Sequence, residues 1–187
     1  MAGTTGLGLF TALVALVGLE RLAELVISTR NAAWSVARGG VETGQRHYVL
    51  MVVLHSGLLV GALVEVWLRR PEFVPLLGLP MLALVLASQA LRWWCIATLG
   101  RRWNTRVIVV PDLPLVQRGP YRWLSHPNYV AVVVEGFALP LVHSAWVTAI
   151  VFSALNAGLL TVRIRVENAA LQGSASQPTA VVPGTTR

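Results

Sequence analysis

The sequence predicts an all-α fold, an integral membrane bundle of about five transmembrane helices. Three observations predict it: an apolar composition, several long apolar runs, and arginines that cluster beside those runs. Of 187 residues, 55% are hydrophobic and 12% are charged, and the mean hydropathy is +0.65. Soluble domains usually contain about 25% charged residues. This length fits one domain.

Five apolar runs are candidates for membrane-crossing helices, which need about 20 mostly apolar residues. Polar segments bearing Gly or Pro separate most of them. The runs are Gly6–Ile27, Tyr48–Leu68, Leu76–Ile96, Tyr129–Val142 and Ala145–Val162. The fourth run is short. The residues leave two interpretations open: a tight hairpin with the fifth run through His143 and Ser144, or a helix with little tilt.

The basic residues predict the orientation in the membrane. All 15 are arginines, and the net charge is +7. They concentrate after the first run, around the end of the third, before the fourth and after the fifth, whereas Arg69 and Arg70 follow the second. Cytoplasmic loops are enriched in such residues. We therefore expect an outside N-terminus, a cytoplasmic C-terminus, and no nucleic acid as a partner.

The chain is predicted to be one domain over residues 1–172, followed by a disordered tail. The helices of residues 1–99 precede a more polar half, residues 100–172. Residues 173–187 are small, polar and Pro-bearing, a composition typical of disorder. Cys95 is the single cysteine, so neither a disulfide framework nor a metal site is expected. The first run lacks a basic leader and a cleavage site, which indicates a retained span.

The segment Arg118–Tyr129, RGPYRWLSHPNY, places polar and turn-forming residues directly before an apolar run. Pro127 fits the first turn of a helix, where its missing N–H costs nothing, so Ser125 or His126 is expected to cap that helix. Free N–H groups and the positive end of the helix dipole would then face the cytoplasmic interface and favour an anionic group. The same residues are also typical of an ordinary helix start.

A second polar element, RIRVEN, ends the fifth run and contains Arg163 and Glu167. These residues are four apart and lie on one helical face. A guanidinium at a membrane boundary suits an anionic acceptor, because it forks onto carboxylate or enolate oxygens. A snorkelling arginine with a solvated carboxylate partner gives the same pattern. Composition alone leaves both interpretations open.

Ionisable residues inside apolar runs are costly and therefore invite a functional explanation. Arg21 and Glu24 are three apart and are expected to neutralise each other. Glu135 has no partner within a turn and is expected to face the bundle, toward an arginine such as Arg92. Examples of such residues within the runs are Glu20, Arg21, Glu24, Glu65 and Glu135.

The motif GPYRWLSHPNYV, followed by RIRVENAAL, resembles the isoprenylcysteine carboxyl methyltransferase family of membrane enzymes over about Arg101–Leu171. The resemblance implies a cytoplasmic cofactor pocket in residues 100–172 that binds S-adenosylmethionine. Arg163 would contact the acceptor, and Arg163, Glu167 and His126 would be the catalytic residues. The implied cofactor-binding residues are Leu113, Pro114, Leu115, Val116, Tyr121, His126, Pro127, Asn128, Tyr129 and Glu167.

The N-terminal half narrows the resemblance. RLAELVISTRNAAW, GQRHYVLMVVLH and LGRRWNTRVIVVP are similar to a bacterial subgroup associated with type III polyketide synthases, which O-methylates long-chain alkylpyrones or alkylresorcinols. This implies a lipophilic small-molecule acceptor, membrane lipids around the protein, the bacterial plasma membrane as its location, and a functional link to such a synthase. Ser125 stands where the family often has Arg, and Asn168 where it often has a second Glu.

Alternative functions follow from the same residues. A prenylated cysteine-like substrate is one alternative acceptor. A membrane reductase that uses NADPH, and a nonenzymatic lipid-binding or transport protein, are the others. The need for a base depends on the acceptor. A pyrone enol is already ionised near neutral pH, whereas a resorcinol hydroxyl resembles tyrosine, with a pKa of about 10. It would need help from His126, Glu167 or Arg163.

Overall fold

The computed structural model describes residues 2–111 and 113–175, which form a bundle of five α-helices. The helices are α1 (Ala2–Val36), α2 (Gln45–Arg69), α3 (Pro75–Leu99), α4 (Pro127–Leu141) and α5 (Trp146–Ala175). Three segments within these residues are long and apolar enough to cross a membrane: Tyr48–Arg69, Pro75–Arg102 and Trp146–Ala170. The predicted all-α membrane bundle is therefore confirmed.

The other two predicted spans lie in α1 and α4. The run Gly6–Ile27 falls within α1, which is not one of the three segments and continues to Val36. Its leucines at 9, 16, 19 and 22 are exposed, as expected for a surface that meets lipid. The helix α4 is a shorter apolar helix of 15 residues. The predicted tail begins inside α5, which extends to Ala175, and residues 176–187 lie outside the described residues.

The apolar core occupies one end of the bundle. It joins the beginning of α1 to the ends of α2 and α4, because adjacent helices run in opposite directions. Its members are Leu7, Phe10, Val14, Val17, Ala62, Val66, Val85, Ala138, Leu139, Val142 and Ala145. The opposite end of the bundle, where α4 begins and α1, α3 and α5 end, is the polar one.

The helices α4 and α5 form a tight hairpin, which confirms one of the two interpretations of the short fourth run. Ser144 makes the turn with a φ of 57°. The Glu65 carboxylate, from α2, accepts the backbone N–H groups of Val147 at 3.1 Å and Thr148 at 2.7 Å. Glu65 therefore accepts hydrogen bonds from backbone N–H groups in the first turn of α5 that have no partner within the helix, and it joins the hairpin to α2.

The connector between α3 and α4 contains short elements of regular structure. It contains the 3-10 helices Gly100–Arg102 and Gly119–Arg122 and the strand β2 (Val107–Val109). This β-branched strand pairs antiparallel with β1 (Val41–Thr43), with Glu42 opposite Ile108. The strands are short, and their pairing joins segments far apart in the chain, so local pattern alone does not predict them.

The side chains of α1 hold the connector over the polar end of the bundle. The Asn31 amide donates to the carbonyls of Gly100 at 3.1 Å and Trp103 at 2.7 Å. The Ser28 hydroxyl accepts the Thr105 N–H at 3.0 Å. The Trp103 ring is almost fully buried beneath. These bonds explain how α1 extends past the expected span and still buries its polar residues.

Replacing Gly136 with Ala should destabilise the α4–α5 hairpin, because an added Cβ would overlap the Phe152 ring. Overpacking of this kind costs about 1–3 kcal/mol. The thermal unfolding midpoint of the detergent-solubilised protein should therefore fall. Gly158→Ala is the matched control, since a Cβ there meets nothing within 4 Å. Equal midpoints for the two variants would contradict this account of the packing.

Candidate functional site

A cavity of about 260 Å³ opens within the polar end of the bundle. All five helices and the connector contribute to its wall. This volume lies just below the usual range of ligand pockets, roughly 300–1,000 Å³. The cavity has three parts: a charged floor, a wall around Arg163, and a mouth at the start of α4.

The floor is a network of buried charges between α1, α3 and α4. Arg92 donates to Glu135 at 2.7 Å and lies 3.6 Å from Glu24. Arg21 lies 2.9 Å from Glu24 and 3.7 Å from Glu135. Two guanidinium groups thus meet two carboxylates, so the four charges balance. The predicted pairs Arg21–Glu24 and Arg92–Glu135 are both confirmed.

The position of Arg92 corrects one part of the arginine pattern. The arginine pattern includes Arg92 among the cytoplasmic arginines at the end of the third run, but its side chain is buried in α3 and paired within the bundle. Glu20 lies at the edge of the same network, where its carboxylate accepts bonds from Gln89 and the Trp93 ring N–H. These polar partners reduce the cost of ionised groups at this depth.

Arg163 lies in the wall of the cavity and is only 6% exposed. Its guanidinium donates to the Thr105 carbonyl at 2.9 Å, to the Met51 sulfur at 2.8 Å and to the Tyr129 hydroxyl at 3.4 Å. All three partners are neutral. Within residues 2–111 and 113–175, Arg163 forms no ion pair with a carboxylate. Arg163 is therefore not a snorkelling arginine with a solvated carboxylate partner.

The mouth is built around Tyr129, on the first turn of α4. The Tyr129 hydroxyl donates to Glu167, and its ring stacks on His126 with centroids 5.3 Å apart. His126 Nδ1 lies 3.8 Å from Glu167, and Nε2 faces the Asn168 side-chain oxygen at 3.3 Å. His126 caps α4 and Pro127 begins it, as predicted. Tyr129 therefore links Glu167 to Arg163.

Three asparagines in the cavity wall each have one buried side-chain polar atom without a hydrogen-bond partner among the described residues. These atoms are Nδ2 of Asn104, Oδ1 of Asn128 and Oδ1 of Asn156. Leaving such a group unpaired costs about 1–3 kcal/mol. Buried polar groups without a protein partner are groups that a ligand or water can satisfy. The three atoms lie in different segments, so they offer polar contacts at several depths.

Tyr121 also lines the cavity, in the 3-10 helix before α4. Burial, with a smaller contribution from neighbouring Cys95, raises the pKa of the Tyr121 hydroxyl well above its ordinary value. The hydroxyl therefore keeps its proton throughout the physiological range. Tyr121 can serve as a hydrogen-bonding group but not as an anion.

Most of the predicted site residues come together in the cavity. Its lining contains Tyr121, His126, Asn128, Tyr129, Arg163 and Glu167. Pro127 begins α4 but is fully buried behind the lining. The segment Leu113–Val116 is the exception. None of its residues is in the lining, Leu115 is 67% exposed, and the Pro114 carbonyl accepts a bond from Arg102 at 2.7 Å.

Several residues that line the cavity were not predicted as site residues from the sequence. Met51 and His55 come from α2, Thr105 from the connector and Asn156 from α5. His55 and Asn156 are polar residues within apolar runs, so the rule that identified Glu135 would have identified them as well. Thr105 contributes a backbone carbonyl, for which a sequence pattern gives no signal.

The fold and the site define a helical membrane protein with an internal ligand cavity. Residues 81–173 match the isoprenylcysteine carboxyl methyltransferase family. The uncharacterized protein YpbQ of Bacillus subtilis (strain 168) is 37% identical over 164 residues, which cover 88% of this chain and 97% of YpbQ. This chain therefore belongs to the isoprenylcysteine carboxyl methyltransferase family, whose membrane methyltransferases use S-adenosylmethionine.

A second relative is more distant. An uncharacterized protein of Haemophilus influenzae (strain ATCC 51907 / DSM 11121 / KW20 / Rd) is 25% identical over 152 residues, which cover 81% of this chain and 88% of that protein. No solved structure matches the chain. The alignments with both relatives, 164 and 152 residues long, are longer than the region 81–173 that matches the family. The similarity to these relatives therefore includes part of the N-terminal helices.

Replacing Glu135 with Leu should strongly destabilise the protein, because Arg92 and Arg21 would lose a carboxylate that balances their charge. Removing one partner of a buried ion pair typically costs about 3–5 kcal/mol. Thermal unfolding in detergent would measure the loss. Glu72→Leu, at an exposed position before α3, is the control and should unfold near the wild-type temperature. A wild-type midpoint for Glu135→Leu would show that the network is not needed for stability.

Proposed function

We propose that this protein is an O-methyltransferase that uses S-adenosylmethionine and acts on a lipophilic acceptor within the membrane. The observation that carries the proposal is Arg163, a buried guanidinium that faces the cavity and has neutral partners. A buried cation without a carboxylate is costly unless an anion binds to it. An ionised acceptor oxygen is such an anion.

The mouth residues fit the cofactor. The Glu167 carboxylate can accept bonds from hydroxyl or ammonium groups, and the unpaired Asn128 Oδ1 can accept another. The stacked rings of His126 and Tyr129 supply a flat surface next to these groups. Bound S-adenosylmethionine would supply a methyl group whose bond to sulfur breaks as the acceptor oxygen bonds to its carbon.

The chain's own contribution is to align and stabilise the acceptor oxygen. Arg163 would hold that oxygen as an anion, and its link through Tyr129 to Glu167 keeps the acceptor position next to the cofactor position. Charge stabilisation is strong in a site from which water is excluded. Correct alignment of two bound reactants lowers the barrier further. His126 and Glu167 are the candidate bases for an acceptor that enters with its proton.

The acceptor we propose is an alkylpyrone or alkylresorcinol, the product of a type III polyketide synthase. The similarity of the N-terminal half to that bacterial subgroup supports this class. Apolar side chains from three helices, including Val52, Leu59, Val132, Leu159 and Leu160, line the cavity beside the polar groups and suit an alkyl chain. Incubating membranes with radiolabelled S-adenosylmethionine and identifying the labelled lipid tests the class directly. A labelled prenylated peptide would instead favour the cysteine-like acceptor.

We further propose that the cavity opens to the cytoplasm of the bacterial plasma membrane, with the N-terminus outside. The arginine pattern supports this orientation. Exposed arginines lie at the cavity end, on both sides of the connector, including Arg101 and Arg118. A cytoplasmic mouth would give the site access to soluble S-adenosylmethionine, while the acceptor reaches it from the lipid.

Arg163→Ala should lower methyl transfer by at least about 100-fold, the loss typical of removing one group that stabilises a developing charge. Affinity for S-adenosylhomocysteine should remain close to wild type. Arg165→Ala is the matched control, because Arg165 is exposed on the same helix two residues later. Transfer is measured with radiolabelled cofactor and binding by calorimetry. Unchanged methylation by Arg163→Ala would refute the role of Arg163.

Glu167→Gln should weaken the binding of S-adenosylhomocysteine by about tenfold, because a hydrogen bond to a charged group contributes about 1.5–3 kcal/mol. Calorimetric titration measures the affinity, and Arg165→Ala again serves as control. NADPH titrated in parallel should not bind. Tight NADPH binding without S-adenosylhomocysteine binding would favour the reductase, and absence of both would favour a lipid-binding or transport protein.

A further inference from the structure

The deep end of the cavity contains polar groups that methyl transfer at Arg163 does not use. Asn156 is on α5, seven residues before Arg163, and so lies about 10 Å further along the helix. It is only 2% exposed, and its side-chain oxygen has no partner. An unpaired amide this deep is costly in an empty site and satisfied by a ligand that hydrogen-bonds to it.

His55 contributes a second polar group at the same depth. Its Nδ1 lies 2.8 Å from the Met51 carbonyl, one turn earlier on α2. A carbonyl only accepts, so Nδ1 must carry the proton. In the neutral ring, Nε2 is therefore an acceptor. The ring meets Phe152 edge-on at 86°, Phe152 is one turn from Asn156 on α5, and His55 and Asn156 both line the cavity.

Helix geometry relates the positions of His55 and Asn156 to that of Arg163. Arg163 contacts the Met51 side chain, and His55 follows Met51 by one helical turn, about 6 Å. A head group that places one oxygen at Arg163 therefore directs its other side toward His55 and Asn156. Since Nε2 accepts, the group it meets must be a hydrogen-bond donor.

We propose that His55 Nε2 and Asn156 Oδ1 form a subsite of two acceptors around the single proton of a second hydroxyl on the acceptor's head group, on the side away from the oxygen held by Arg163. This inference rests on the proposed function, because it concerns the acceptor in the same cavity. The subsite selects a ring with two hydroxyls over a head group with a single hydroxyl. It therefore favours an alkylresorcinol over an alkylpyrone, which has no second hydroxyl to donate.

Binding of two matched lipids tests the subsite without requiring turnover. The probes are an alkylresorcinol and a meta-alkylphenol of the same chain length, titrated into the detergent-solubilised protein in the presence of S-adenosylhomocysteine. The wild type should bind the resorcinol about tenfold more tightly, the contribution of one donated hydrogen bond. Asn156→Leu and His55→Phe should each reduce that ratio toward one.

The affinities for the resorcinol and the alkylphenol are compared within each variant. A variant that binds both lipids more weakly therefore keeps the wild-type ratio of affinities. Thr161→Val is the control, because Thr161 is exposed on α5 and its hydroxyl donates to its own helix; its ratio should match the wild type. Equal binding of both lipids by the wild type, or a tenfold ratio retained in both variants, would overturn the subsite. A preference without methyl transfer would instead count against the proposed reaction alone.

Discussion

The balanced charges on the cavity floor are the constraint on which the rest of the site depends. Arg21, Glu24, Arg92 and Glu135 come from three helices, and none can be buried alone without a large penalty. Their pairing fixes how far α1 and α4 are displaced along α3. It also keeps a polar cavity open at a depth where apolar side chains would otherwise fill the bundle. Arg163 differs because its partners are neutral.

The connector between α3 and α4 supplies the part of the site that positions Arg163. Asn31 and Ser28 tie it to α1, and the Thr105 carbonyl that follows accepts from Arg163. The connector thus positions the guanidinium through a backbone atom rather than through an acidic side chain. Because a backbone carbonyl carries no net charge, the positive charge of Arg163 remains available to a ligand. A carboxylate at the same place would neutralise it and remove the reason for an anionic acceptor to bind.

Much of this arrangement could be predicted from the sequence, but not all of it. Periodic apolar runs predict helices well, and the cost of buried charge correctly paired Glu135 with Arg92. Pro127 correctly marked the start of α4. The two short strands and the Thr105 carbonyl were not predictable, because backbone contacts between distant segments have no local signature. Leu113–Val116 are expected at the cofactor from the resemblance, whereas in the structure they lie outside the cavity lining, next to Arg102.

The two departures from the family pattern change the charge of the mouth in opposite directions. Asn168 replaces a second glutamate and faces His126, which leaves Glu167 as the carboxylate of the mouth in the described lining. Ser125 replaces an arginine at the same rim. Arg163, Arg102 and Arg106 all line the cavity, so positive charge still exceeds negative charge away from the balanced floor. A site of this sign attracts anions and disfavours cationic ligands. If S-adenosylmethionine binds as proposed, Glu167 would stabilise its sulfonium, and the arginines deeper in the cavity would favour an acceptor that ionises on entry. On the proposed function, this difference in charge would favour a cation at the mouth, beside Glu167, and an anion one turn deeper, at Arg163.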